Sequence, residues 1–135
     1  MAYITRDNEN EVGGVVLKAS TTETSSTDTA GVTIGKGRYE IDVTISAIDV
    51  ASGDEFYGIL IEGNTEKDTT TWETLAANRF GHSSVNSTGV SDSATTYKFI
   101  VDNPLDYQLR VSSVIGGTSP SITYAVTAYR VPRRA

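Results

Sequence analysis

Between Tyr39 and Ile61 the chain alternates as a half-buried strand does. Tyr39, Ile41, Val43 and Ile45 fall on one side, and Glu40, Asp42, Thr44 and Ser46 on the other, a period of two that a helix would scatter around its axis. The turn-forming Ser52-Gly53-Asp54 follows, and then a second run, Phe56 to Ile61, is apolar on both faces: Tyr57, Ile59 and Ile61 on one, Phe56, Gly58 and Leu60 on the other. Such a strand is predicted to be central in its sheet and covered on part of its second side. The last third repeats the alternation three times, with Tyr97, Phe99 and Val101, then Tyr107, Leu109 and Val111, then Ile122, Tyr124, Val126 and Ala128. Ile41, Val43, Ile59, Leu109 and Val126 are the predicted core.

The remaining segments are weaker. Val15, Val16 and Leu17 form a short apolar run after two glycines, suited to an edge strand. Every residue of Ser20–Thr29 is Ser, Thr, Glu or Asp, which fits either a surface strand or a long loop. Gly35 and Gly37 bracket Lys36 in a tight turn; the spacing of a phosphate loop is absent. Trp72, Leu75 and Ala76 have the i, i+3, i+4 spacing of a helical turn, although an irregular strand over 72–77 reads as well. Residues 77–96 hold few apolar side chains and read as a weak strand from Arg79 to Val85 or a projecting loop. About seven to nine short strands with no confident helix predict an all-β fold, an antiparallel β-sandwich that is jelly-roll-like. An immunoglobulin-like sandwich is the rival, without that family's Cys…Trp…Cys spacing.

At 135 residues the chain fits one domain with a real core. The expected division is a polar N-terminal arm over 1–11, a sandwich domain over 12–131 and a basic tail over 132–135. The net charge of −6 argues against wrapping nucleic acid, whose phosphates need Lys and Arg. The tail, with Arg130, Arg133 and Arg134, reads as a solubilising end or as a small basic hook for an acidic neighbour. The absence of cysteine removes thiolate chemistry, disulfides and cysteine-based zinc sites. The acidic, amide-rich start does not have the pattern of a secretory signal, and no apolar run is long enough for a membrane helix. Synthesis in the cytoplasm is the expectation.

Candidate chemistry is sparse. His82 is the only histidine; with Ser83 or Ser84 and Asp92 it makes a triad only on paper, because no nucleophile elbow accompanies it. The carboxylate pairs Asp54/Glu55, Glu66/Asp68 and Asp102/Asp106 read as turn residues rather than as glycosidase acids. Calcium at the DNPLD turn lacks an EF-hand pattern, and Asn86-Ser87-Thr88 is a glycosylation signal only in an exported protein. No catalytic, metal or cofactor-binding residue is therefore assigned, and no cofactor is expected. Trp72 and Phe80, lying in the weaker segments, are the aromatics expected at the surface, as contact residues or as a sugar platform, and with Arg130, Arg133 and Arg134 they complete the set of candidate interaction residues.

The stretch GRYEIDVTISAIDVASGDEFYGILIEGNTEKDTTTWETLA resembles the strand, loop, strand and T-x-W loop succession of small phage virion proteins. The closing YKFIVDNPLDYQLRVSSVIGGTSPSITYAVTAYRV is similar to their last strands, with YQLRV in the place of a Y-x-x-R strand and GGTSPSIT in the place of a G-T-x-P turn. Over residues 39–130 the chain thus resembles the head decoration, or cement, proteins of tailed bacteriophages. The resemblance implies a non-enzymatic, jelly-roll virion protein on the capsid exterior, made in the host cytoplasm, with the major capsid protein as partner, a homotrimeric state, and no nucleic acid, membrane or small ligand. The alternative is a carbohydrate-binding or adhesin-like sandwich used in host recognition.

Overall fold

The computed structural model describes residues 14–81 and 95–131. Eight strands run through them: β1 Val15–Glu23, β2 Val32–Thr33, β3 Gly37–Ile48, β4 Phe56–Gly63, β5 Glu73–Gly81, β6 Thr95–Asn103, β7 Gln108–Gly116 and β8 Ile122–Arg130. There is no helix among the described residues. The expected arm over 1–11 and tail over 132–135 lie outside them, as do His82, Ser83, Ser84, Asp92 and the 86–88 signal.

The strands pair as nested hairpins. β4 pairs with β5, β3 with β6, β2 with β7 and β1 with β8, all antiparallel. Two further contacts, β3 with β8 and β4 with β7, roll this ribbon into two four-stranded sheets of order β1-β8-β3-β6 and β2-β7-β4-β5. That order is an eight-stranded jelly roll.

Burial follows the alternation. Tyr39, Ile41, Val43 and Ile45 of β3 face Tyr57, Ile59 and Ile61 of β4, joined by Leu109, Val111, Tyr124 and Val126, all at most 1% exposed. All five predicted core residues are fully buried. β4 is central, as its double-sided pattern requires.

Two open readings resolve, and one expectation changes. Residues 72–77 form no helical turn: from Glu73 the chain is strand, held by a register with β4 that shifts between Ile61 and Glu62. The polar stretch 20–29 is both strand and connection. β1 extends to Glu23, and then Thr27 and Thr29 bond to the backbone of Ser113 and Val111 as the chain crosses to the other sheet. The edge strand that Val15–Leu17 begins is consequently nine residues long.

That long edge contains a polar cluster the alternation did not foretell. β1 breaks register on both sides of Lys18, and the Lys18 ammonium curls inward, donating to Thr21 Oγ1 at 2.7 Å and to the Tyr124 carbonyl at 2.8 Å. It lies 3.9 Å from the Tyr124 ring centre and 3.9 Å from Glu23, whose carboxylate accepts from the Tyr124 hydroxyl at 3.1 Å. Burying these groups is tolerable because each finds partners.

Burial raises the hydroxyl pKa of Tyr124, reinforced by Glu23, and burial likewise raises those of Tyr39 and Tyr57 above their ordinary value of 10.0. The folded state keeps phenol protons that the unfolded chain releases, so this stability is complete below pH 10 and is lost as pH rises further. Lys18, lowered by burial from 10.5, has the opposite sign, so the net loss is clearest above pH 10.5. Tyr124→Phe is expected to flatten the fall of melting temperature with alkaline pH while costing about 1 kcal/mol at neutral pH; an unchanged alkaline slope contradicts this. Ile59→Asp, placing a charge in the apolar interior, is expected to cost on the order of 4 kcal/mol or more, and a wild-type melting temperature removes Ile59 from the core.

Candidate functional site

The outer face of the β2-β7-β4-β5 sheet is the surface on which side-chain chemistry concentrates. Alternation that sends Tyr57, Ile59 and Ile61 inward sends Phe56, Gly58, Leu60 and Glu62 outward. The register sets Gly58 between Val114 and Arg79, Leu60 between Ser112 and Ala77, and Glu62 between Arg110 and Thr74. One half of the face is therefore apolar. Phe56, Gly58, Leu60, Ala77 and Val114 line a shallow groove of about 200 Å³, room for one or two apolar side chains, with the Arg79 guanidinium 4.5 Å from the Phe56 ring centre. Val114 is 49% exposed there.

Gly58 forms the floor of this groove. A methyl group added at that position would come no nearer than 3.6 Å to the Val114 side chain and carbonyl, an ordinary contact. The fold accommodates a larger residue there; the groove is what glycine preserves.

The other half is polar and internally paired. The Arg110 guanidinium meets Glu62 at 2.8 Å and Asp28 at 3.7 Å, and stacks 4.3 Å from the Trp72 ring centre. Asp28 also accepts from the Ser112 hydroxyl at 2.6 Å. A cation held by two carboxylates and a ring makes a rigid border for the apolar lane.

The candidate interaction residues fare differently. Trp72 is half-buried, with Arg110 over its ring and Gly31 close to its edge, so it is a packing partner of Arg110 rather than an open platform. Phe80 is not at the surface. It faces inward opposite Tyr57, 2% exposed, with its ring centre 4.8 Å from that of Tyr97, because β5 is a true strand whose alternation carries Phe80 into the core. Arg130 is pinned as the last residue of β8, donating to the Lys36 carbonyl at 3.1 Å and the Tyr39 hydroxyl at 2.9 Å. It therefore belongs to the sandwich rather than to the tail. Arg133 and Arg134 lie outside the described residues.

Compared with known protein families and with curated proteins, the chain matches none. What the surface can do must be read from its own residues. Two carboxylates in the connections on either side of β4 are engaged: Asp54 accepts from Thr118, and Asp68 from Thr70 and Thr71, hydrogen bonds that hold both acids below the usual carboxylate range. No group of three His, Asp or Glu side chains able to hold a metal occurs among the described residues.

Glu55 is buried without such a partner. It is 0% exposed, on the inner side at the start of β4, and neither carboxylate oxygen has a hydrogen-bond partner. An unpaired buried carboxylate costs folding energy. Glu55→Leu is expected to raise stability by about 1–3 kcal/mol in chemical denaturation; a destabilised variant would mean that the carboxylate is satisfied in solution.

Proposed function

We propose that this protein is a non-enzymatic structural component of a tailed-phage virion, docking on the exterior of the capsid through the outer face of the β2-β7-β4-β5 sheet and stabilising the shell. The observation that carries this reading is the apolar groove over Phe56, Gly58, Leu60, Ala77 and Val114, bordered by the fixed Arg110 cluster. An apolar centre with a polar rim is the anatomy of a protein contact. The resemblance of residues 39–130 to decoration proteins supplies the partner, the major capsid protein; the jelly roll is compatible with it but hosts many other functions.

Shell stabilisation follows from linkage. A protein that binds only the mature lattice lowers the free energy of that state, by about 2.7 kcal/mol per site at a hundredfold excess over its dissociation constant. Repetition over a symmetric shell multiplies the effect. Sugar binding through Trp72 is the less favoured reading, since Arg110 already covers the ring.

Gly58→Ala fills the groove at no steric cost to the sheet. It is expected to melt at or above the wild-type temperature, given that glycine weakens strands by roughly 0.5–1 kcal/mol relative to alanine, yet to occupy undecorated mature capsids of the source phage at least about tenfold more weakly. Leu60→Asp is expected to abolish occupancy. Equal occupancy for all three proteins removes this face from the contact, and wild-type binding to glycans but not to any capsid favours the host-recognition alternative.

A further inference from the structure

The two sheets have four edges, and three of them are guarded. β1 is broken by register shifts on both sides of Lys18. β2 is two residues long, and β5 follows β4 with a shift near Glu62. Bulges and short strands are the usual means of keeping an edge from pairing with another chain. β6 has neither. It meets β3 through nine successive partners, Thr95 to Asn103, without a shift, and among the described residues no strand lies on its other side.

The side chains of β6 are also unusual for an edge. On the outer face stand Thr96, Lys98, Ile100 and Asp102, with Ile100 46% exposed. On the inner face Tyr97 and Phe99 are only half-buried, whereas the inward residues of β3 and β8 are closed off. Both faces thus have apolar surface beside a backbone edge that no described strand pairs with.

We propose that β6 pairs antiparallel with β6 of a second copy of this chain about a twofold axis at Ile100, joining two four-stranded sheets into one of eight. Charge selects both the occupant and the register. Opposed residues of an antiparallel pair share a face, so the axis must pass a residue facing its own counterpart. An axis at Lys98 opposes two ammonium groups. An axis at Phe99 sets Lys98 against Ile100 and Asp102 against Thr96. With the axis at Ile100, Lys98 of each copy faces Asp102 of the other, the two Ile100 side chains meet, and Phe99 faces Val101.

The existing ion pairs then extend across the junction. Lys98 lies 2.6 Å from Asp42 and 3.5 Å from Glu40, and Arg38 lies 3.6 Å from Asp102, all on the outer face. A row across the dimer runs Asp42, Lys98, then Asp102 and Arg38 of the second copy, alternating in sign, and its symmetry mate does the same. Exposed charge pairs are individually weak, so their role is to set register, while the backbone bonds and the apolar pairs hold the strands together. This inference is independent of what the opposite sheet binds.

Sedimentation equilibrium of the full chain tests it, with far-UV circular dichroism to confirm folding. The wild type is expected to be a dimer, in place of the homotrimer that the resemblance implies. Lys98→Asp and Asp102→Lys each oppose like charges at both crossings and are expected to weaken dimerisation about tenfold or more. Mixed in equal amounts, the two variants present opposite charges at both crossings, and a heterodimer is expected to form. Ile100→Cys introduces the chain's sole thiol at the axis, where opposed Cα atoms are about 4.5–5.5 Å apart, and is expected to give a disulfide-linked dimer under mild oxidation. A monomeric or trimeric wild type, variants that dimerise undiminished, a mixture that does not recover, or Ile100→Cys that remains monomeric overturns the proposal.

Discussion

The facing rows of β3 and β4 are the interaction on which the structure depends. Tyr39, Ile41, Val43 and Ile45 against Tyr57, Ile59 and Ile61 leave almost no accessible surface, and each strand is then flanked on both sides within its own sheet. The nested pairing of β1 with β8 and β2 with β7 follows once these two central strands lie face to face, since the ribbon has to roll to cover their ends. The tyrosines do double duty: their rings fill the core, and their hydroxyls reach its rim, where Tyr39 and Tyr57 donate to the Ile34 and Asp49 carbonyls that close neighbouring turns.

A central strand covered on one face has its other face to spare. β4 uses Phe56, Gly58 and Leu60 there, not the polar residues that an outer face usually carries, and β7 and β5 add Val114 and Ala77. In contrast, the outer face of the other sheet is largely threonine, acid and lysine, with Val16, Ile100 and Tyr129 exposed among them. The two sheets therefore offer different chemistry to their surroundings: an apolar groove with a fixed ionic border on one, and a charge-patterned face leading to a regular edge that no described strand covers on the other.

Much of the fold was legible because burial and alternation are the same fact seen twice. Wherever side chains alternate strictly, as in β3, β6, β7 and β8, the strand and its inner face could be read directly. β4 was legible as a central strand for the opposite reason, its double-sided apolar run, but the cover that run predicted for its second side is not there among the described residues, which leave a groove instead. β5 was ambiguous because Trp72, Leu75 and Ala76 have the spacing of a helical turn as well as suiting an irregular strand, and pairing with β4 decided for the strand; Phe80 went inward as a result. The polar cluster of Lys18, Glu23 and Tyr124 was invisible to pattern reading, since it depends on register breaks that have no signature in residue type. The pairing of Arg110 with Glu62 and Trp72, and of Arg130 with Tyr39, likewise rests on cross-strand neighbours that only the register supplies.

The orientation of the molecule on an assembled shell tests the central claim most directly. In a reconstruction of the decorated particle at side-chain resolution, the account predicts that Phe56, Leu60 and Val114 face the major capsid protein, with the Arg110 cluster at the rim of the contact. A shell-bound molecule whose β2-β7-β4-β5 face points to solvent would contradict it.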